Sequence, residues 1–175
     1  RPVSPEEGFK SIGHETTFER DTSSAELLHD TLLELTERVA QRLRSQGARA
    51  RTVTVKFREA DFTTYTRRAS VGEPVDTMER IFPIALKLMH SLVREGILVR
   101  LIGVYASNLE TGPSTQLSLF APQPKKDRQL AAALDAIAQR YGDRAITRAS
   151  LVRKKPRPSD VRSQTGSEGD TGDCK

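Results

Sequence analysis

Apolar residues fall into two alternating rhythms along the chain, and the change of rhythm marks the elements. Leu28, Leu32, Leu35, Val39 and Leu43 recur at spacings of four, three, four and four, which lays them on one face of a helix. Ser23 followed three residues later by Glu26 predicts a capping box at its start, and Gly47 its stop. Glu34, Glu37, Arg38, Arg42 and Arg44 fall around the rest of the helix and are expected in solvent. Before it, Ser11 to Arg20 mixes Ile12, Thr16, Thr17 and Phe18 with polar residues and predicts a strand, in which Gly13 permits a close approach or a bulge. After it, Val53, Val55 and Phe57 alternate with Thr52, Thr54, Lys56 and Arg58, the period of a half-buried strand with a polar and basic outer face. A short connection, Glu59-Ala60-Asp61, leads to Thr63 through Arg68, rich in strand formers, and the two predict an antiparallel hairpin.

Gly72 and Pro74 then predict a loop, and Asp76 with Glu79 a second capping pair. Ile81, Ala85, Leu88, Met89 and Leu92 give a second helix its buried face. Pro83 lies inside that pattern, where it removes a hydrogen bond, so a kink or a main helix starting at Pro83 is expected. Gly96 ends the helix, and the nearly continuous apolar run Val99 to Ala106 suits a central strand. The order strand, helix, strand, strand, helix, strand predicts an α+β, ferredoxin-like split β-α-β-β-α-β fold: a four-stranded antiparallel sheet with two helices on one face and the other face open.

Residues 1–8 read as an extended linker, 9–109 as the one folded domain, and 110–126 as a second linker holding QLSLF at 116–120. Residues 127–152 predict a helical extension, with Leu130, Leu134, Ile137 and Tyr141 along a stripe, Gly142 as its stop, and a short strand from Ile146 to Val152. From 153 to 175 only Val161 and Cys174 are apolar outside prolines and glycines, too few for a core, and a disordered tail is expected.

Composition narrows the chemistry. Lys and Arg number 28 against 23 Asp and Glu, a formal net charge of +5, a balance that favours polyanionic partners. The lone cysteine, Cys174, excludes an intramolecular disulfide and a thiolate metal cluster, and fits a reducing cytoplasm. No apolar run approaches the roughly 20 residues that cross a bilayer, so no membrane partner is expected. A chain that begins at Arg1 is expected to be a fragment or a processed product.

Between Arg49 and Ser70, six cations (Arg49, Arg51, Lys56, Arg58, Arg67, Arg68) face two anions (Glu59, Asp61), a local excess of +4. On one hairpin such a ridge can bridge phosphates, and interleaved threonines add hydroxyl donors without reading base identity. A solvated, strand-favouring sheet face is the plainer account of the same residues. His14, His29 and His90 are too scattered for a metal site, and no catalytic motif occurs. Leu117, Leu119 and Phe120 in QLSLF are costly to leave in water and call for a pocket, either a partner's or that of the third helix.

Three blocks, KSIGHETTFERD (Lys10 to Asp21), RTVTVKFREADFTTYTRR (Arg51 to Arg68) and VRLIGVYASNL (Val99 to Leu109), together resemble the little-finger domain of Y-family, lesion-bypass DNA polymerases of the bacterial DinB type, DNA polymerase IV. QLSLF is similar to that family's sliding-clamp-binding motif, and Leu130 to Ser150 to a C-terminal extension of some members. The resemblance implies a non-catalytic piece of a DNA-directed polymerase active in translesion synthesis, working in the cytoplasm on the nucleoid. Residues 1–8 would then lead in from a thumb domain, and the palm, fingers and thumb would be partners in the parent protein. No cofactor is implied for this chain; Mg2+ is implied for the palm. Primer-template DNA would meet Lys10, Ser11, Ile12, Gly13, His14, Glu15, Thr16, Thr17, Arg51, Lys56, Arg58, Thr64, Thr66, Arg67 and Arg68. The β-subunit clamp would meet Gln116, Leu117, Ser118, Leu119 and Phe120. A free-standing ferredoxin-like RNA-binding module is the alternative; such modules stack bases on sheet aromatics, which are scarce here. An independent enzyme has no constellation to support it.

Overall fold

Strong helical periodicity at one segment and strict alternation at the next produce the architecture of the computed structural model, which describes residues 10–94, 96–112, 125–142 and 145–152. The elements are β1 (Ser11–Thr22), α1 (Ala25–Ser45), β2 (Ala48–Glu59), β3 (Thr64–Val75), α2 (Met78–His90), β4 (Val99–Thr111) and α3 (Lys125–Tyr141), with a short 3-10 turn at Ala149–Leu151. The four strands form one antiparallel sheet in the order β1-β4-β2-β3, so each β-α-β unit is split by one strand. The apolar run of β4 is central, paired with β1 on one side and β2 on the other.

The core lies between that sheet and the helices. Leu28, Leu32, Leu35, Val39 and Leu43 of α1 meet Val53, Val55 and Phe57 of β2 and Ile102, Val104 and Ala106 of β4, and none is more than 2% exposed. Burying each large side chain contributes about 1.5–3 kcal/mol, which is why two short helices suffice to fix one side of the sheet. Thr36 is fully buried among them, and its hydroxyl donates to the Leu32 carbonyl at 2.7 Å.

Several local expectations shift. The N-cap of α1 is Ser24, one residue later than Ser23, and its hydroxyl accepts from the Leu27 amide at 3.2 Å. The N-cap of α2 is Thr77 in place of Asp76, whose carboxylate instead accepts from Arg128 at 3.0 Å. Pro83 sits in the sixth position of one continuous helix, where the helix begins at Met78 and not at the proline. Gly72 and Pro74 do not form a loop: β3 runs through them to Val75, with a register shift against β2 between Ala50 and Thr52. An edge strand tolerates proline because one row of its amides has no partner in the sheet, and an irregularity there absorbs the extra residues.

The extension also differs from its pattern. Leu134 and Ile137 of the stripe are half-buried, but Leu130 and Tyr141 are 52% and 67% exposed, and the fully buried residue is Ala131. The inward face also carries an ion pair: Arg44 donates to both carboxylate oxygens of Asp135 at 2.6 and 2.7 Å and to the Asp76 carbonyl at 3.1 Å. Arg44 is therefore partly buried and paired, as is Glu37, which meets Arg148 at 3.5 Å while Arg148 donates to Glu79 at 2.8 Å. Ile146 to Val152 is a turn and not a strand. The expected linker at 1–8, QLSLF at 116–120 and the tail at 153–175 lie outside the described residues.

Candidate nucleic-acid interface

Residues opposed across antiparallel strands share a face, so the register builds the uncovered side of the sheet as rows. Running β1 to β3, these rows are Ser11, Ser107, Thr52, Ser70; then Gly13, Tyr105, Thr54, Arg68; then Glu15, Gly103, Lys56, Thr66; then Thr17, Leu101, Arg58, Thr64. Nine of these sixteen side chains carry a hydroxyl, two are absent because the residue is glycine, and the charges are Lys56, Arg58 and Arg68 against Glu15. The single aliphatic member, Leu101, is itself only 5% exposed. Such a surface is too polar to bind an apolar partner and is well supplied with donors for phosphate oxygens.

At the centre, a tyrosine lies down. A Cβ at Gly13 would stand 2.7 Å from Tyr105 Cε1, and one at Gly103 would stand 2.9 Å from Glu15 Cβ and 3.1 Å from Tyr105 Cε2. The ring therefore occupies the space of two missing side chains, which keeps this part of the face low. The Tyr105 hydroxyl donates to Glu15 Oε2, which also accepts from Lys56 Nζ at 2.9 Å. These two donors, the tyrosine first and the ammonium second, hold the Glu15 carboxyl below the usual carboxylate range. Burial and then the hydrogen bond to Glu15 push the Tyr105 hydroxyl up to about 12.

Flanking groups are held more locally. Arg58 Nε donates to Thr64 Oγ1 at 2.8 Å, a cross-strand pair on the outer edge. Thr52 is nearly buried and satisfied, accepting from Asn108 Nδ2 at 2.9 Å and meeting the Ser70 hydroxyl at 3.2 Å. Beyond the rows, Asp61 caps the β2-β3 turn by accepting from the Thr63 amide at 2.8 Å and hydroxyl at 2.9 Å; these bonds, the amide first, lower its carboxyl pKa. Asp21 takes Arg100 at 3.0 and 2.9 Å, and the same guanidinium stacks over Phe62 at 4.3 Å.

Of the residues expected to meet DNA, the structure brings Ser11, Gly13, Glu15, Thr17, Lys56, Arg58, Thr64, Thr66 and Arg68 onto the open face. Lys10 is exposed at its margin, just before β1. Ile12, His14 and Thr16 alternate to the helix side, where Ile12 joins the core. There, burial first and then the nearby charges of Arg38 and Arg42 lower the pKa of His14. Arg67 pairs with Val55 and so stands on the helix side of the edge strand, exposed but away from Arg68. Arg51 is occupied by Glu110 and the Gly72 carbonyl at the far end of the sheet. Thr54 lies on the face, as its alternation with Val53 and Val55 predicts, while Tyr105, Ser70 and Ser107 belong to it and were not singled out by the sequence, where the one local signal was Gly103 two residues before Tyr105. Tyr105 is the only aromatic among the described residues of this face, whereas base-stacking sheets need two or three. Among the described residues, no group of three or more His, Cys, Asp or Glu could hold a metal ion, and no helix is long and apolar enough to cross a membrane.

Comparison with known proteins bears on the family and the fold. Residues 9–119 match the family model of the impB/mucB/samB family C-terminal domain. A protein of Dehalococcoides mccartyi named DNA polymerase IV is 39% identical over 156 residues, 89% of this chain and 40% of its own length. One of the same name from Pelotomaculum thermopropionicum is 31% identical over 173 residues, 98% of this chain and 42% of its own length. The chain thus spans about two fifths of the curated relatives it matches. In fold, it is similar to an insertion ternary complex of Dbh DNA polymerase (TM-score 0.52, 15% identity, 58% of this chain and 29% of that one). It is equally similar to a Y-family DNA polymerase chimera (TM-score 0.53, 17% identity, 60% and 30%). The register, the order of elements and the match over residues 9–119 converge on one assignment: the chain belongs to the impB/mucB/samB family as its C-terminal domain, the little-finger domain of the Y-family DNA polymerases.

Proposed function

We propose that this chain grips primer-template DNA through the open sheet face, without reading its sequence, on behalf of a lesion-bypass polymerase. The observation that carries the reading is the face itself: nine hydroxyls with Lys56, Arg58 and Arg68 on a sheet whose opposite side carries both helices. Hydroxyls and cations at strand spacing suit a sugar-phosphate backbone, which carries no base identity. Edge strand β1 adds backbone groups that no neighbouring strand uses. Catalysis belongs, on this reading, to the palm of the parent protein, whose carboxylates hold two magnesium ions, with its fingers and thumb completing the enzyme. QLSLF at 116–120 docks on the sliding clamp and raises the local concentration of the polymerase at a primer end, in the cytoplasm on the nucleoid.

Titration of a labelled primer-template duplex with the 175-residue chain tests it, read by fluorescence anisotropy across a range of salt. Affinity is expected to fall steeply with salt, and Arg58→Ala with Arg68→Ala to weaken binding by roughly tenfold and to flatten the salt slope by about two. An unchanged affinity and slope in that double variant would remove the open face from the interaction.

A further inference from the structure

The open face contains one anion in the middle of its cations. Glu15 stands in the same row as Lys56, one strand away across Gly103, and the two are joined at 2.9 Å. It is not a loose surface pair. The same Glu15 oxygen, Oε2, also accepts from the Tyr105 hydroxyl, and Tyr105 is held by its fit over Gly13 and Gly103. A carboxylate fixed by two donors, on a face otherwise built to offer donors to phosphate oxygens, occupies the position of a phosphate. Lys56 has three N–H donors and one charge; the bond to Glu15 takes one donor and offsets the charge.

We propose that Glu15 is an internal phosphate surrogate: it competes with the DNA backbone for Lys56 and limits how tightly this face grips the duplex. The inference rests on the open face being the DNA-binding surface. A phosphate that approaches Lys56 must share it with a carboxylate that cannot swing away, because the tyrosine keeps it in place. The face therefore gains two strong cationic contacts, at Arg58 and Arg68, and one weakened one. Such a grip releases and re-engages at a primer end more readily than three free cations would allow. Tyr105 is a positioning residue in this scheme, acting on DNA through Glu15.

The test compares Glu15→Gln, Lys56→Ala and the double variant in the same anisotropy titration, with thermal unfolding confirming that each is folded. Glutamine keeps the shape and can still accept from Tyr105 but carries no charge, so the change isolates electrostatics. Glu15→Gln is expected to tighten DNA binding three- to tenfold at low salt and to steepen the salt slope by about 0.9, the signature of one more neutralised phosphate. Lys56→Ala alone is expected to weaken binding, because it removes a cation and leaves the Glu15 carboxylate uncompensated, and the gain from Glu15→Gln is expected to shrink when Lys56→Ala is present. Unchanged or weaker binding by Glu15→Gln overturns the proposal, as does a gain of the same size with and without Lys56. Arg58→Ala with Arg68→Ala serves as the reference: if it also leaves binding unaltered, the DNA-binding reading of the face has failed; if it weakens binding while Glu15→Gln does not tighten it, only the surrogate role has failed.

Discussion

The two faces of this sheet are made by the same strands, residue by residue, and obey opposite rules. On the helix side, Val53, Val55 and Phe57 of β2 and Ile102, Val104 and Ala106 of β4 have no solvent exposure and are selected for volume. On the open side, their immediate neighbours Thr54, Lys56, Gly103 and Tyr105 are selected for hydrogen-bonding capacity, charge and low relief. The difference teaches that packing and surface chemistry are separated here by one residue step along a strand, so substitutions can address either one alone. The sharpest break of the comparison is Phe57→Ala. A fully buried phenylalanine cut to alanine leaves a cavity, and a loss of about 3–5 kcal/mol is expected in urea unfolding. Thr66→Ala, at the directly opposite side of the sheet, is expected to change stability by no more than about 0.5 kcal/mol. If both cost the same, the two faces do not divide the work as described.

A smaller effect is expected where the open face is itself packed. Gly13→Ala places a methyl group within 2.7 Å of the Tyr105 ring, so the ring must lift from the sheet. A cost of about 1–3 kcal/mol is expected from that overpacking. Tyr105→Ala in the same chain should recover most of it, because the methyl group then occupies the space that the ring vacates. A double-mutant cycle measures this; additive costs would mean that the ring does not depend on Gly13 for its place.

This pair also marks the boundary of what sequence can disclose. The stripe of α1, the hairpin and the central position of β4 follow from periodicity, which depends on neighbours in the chain and is visible there. Gly13 reads as a place of close approach, but the approaching group, Tyr105, comes from the opposite end of the domain through strand register. The same limit governs α3. Of its stripe, Leu134 and Ile137 are half-buried while Leu130 and Tyr141 remain exposed, and the inward face also carries Ala131 and Asp135, which meets Arg44 brought up from α1. Among the expected DNA contacts, alternation along β1 and β3 divides residues that look equivalent in sequence: Arg67 and Arg68 are adjacent, and register sends them to opposite faces. The continuation of β3 through Gly72 and Pro74 was hidden for a related reason, since edge position excuses a proline and nothing local reveals which strand is an edge.

The smallest effect sharpens the comparison through pH, because the open face holds two acids joined by a hydrogen bond, Glu15 and Tyr105. Glu15 has its carboxyl pKa lowered in the fold from an ordinary 4.5, so the folded state binds its proton less readily than the unfolded chain. Its contribution to stability is complete above about that value and is lost as pH falls through the lowered pKa. Tyr105 behaves in the opposite sense. Its hydroxyl is raised from 10.0 to about 12, the folded state keeps the proton that the unfolded chain releases, and its contribution is complete below pH 10 and lost between there and about 12. The chain has three tyrosines, so a spectrophotometric titration of tyrosinate should contain a late step that Tyr105→Phe removes. Glu15→Gln should move that step back toward 10, because the carboxylate is the second cause of the shift, but not fully, because burial is the first. A late step that survives Tyr105→Phe would assign it to another residue and uncouple the hydroxyl from Glu15. A step that does not move with Glu15→Gln would leave burial as its whole cause, and the tyrosine would then flatten the face without fixing the carboxylate.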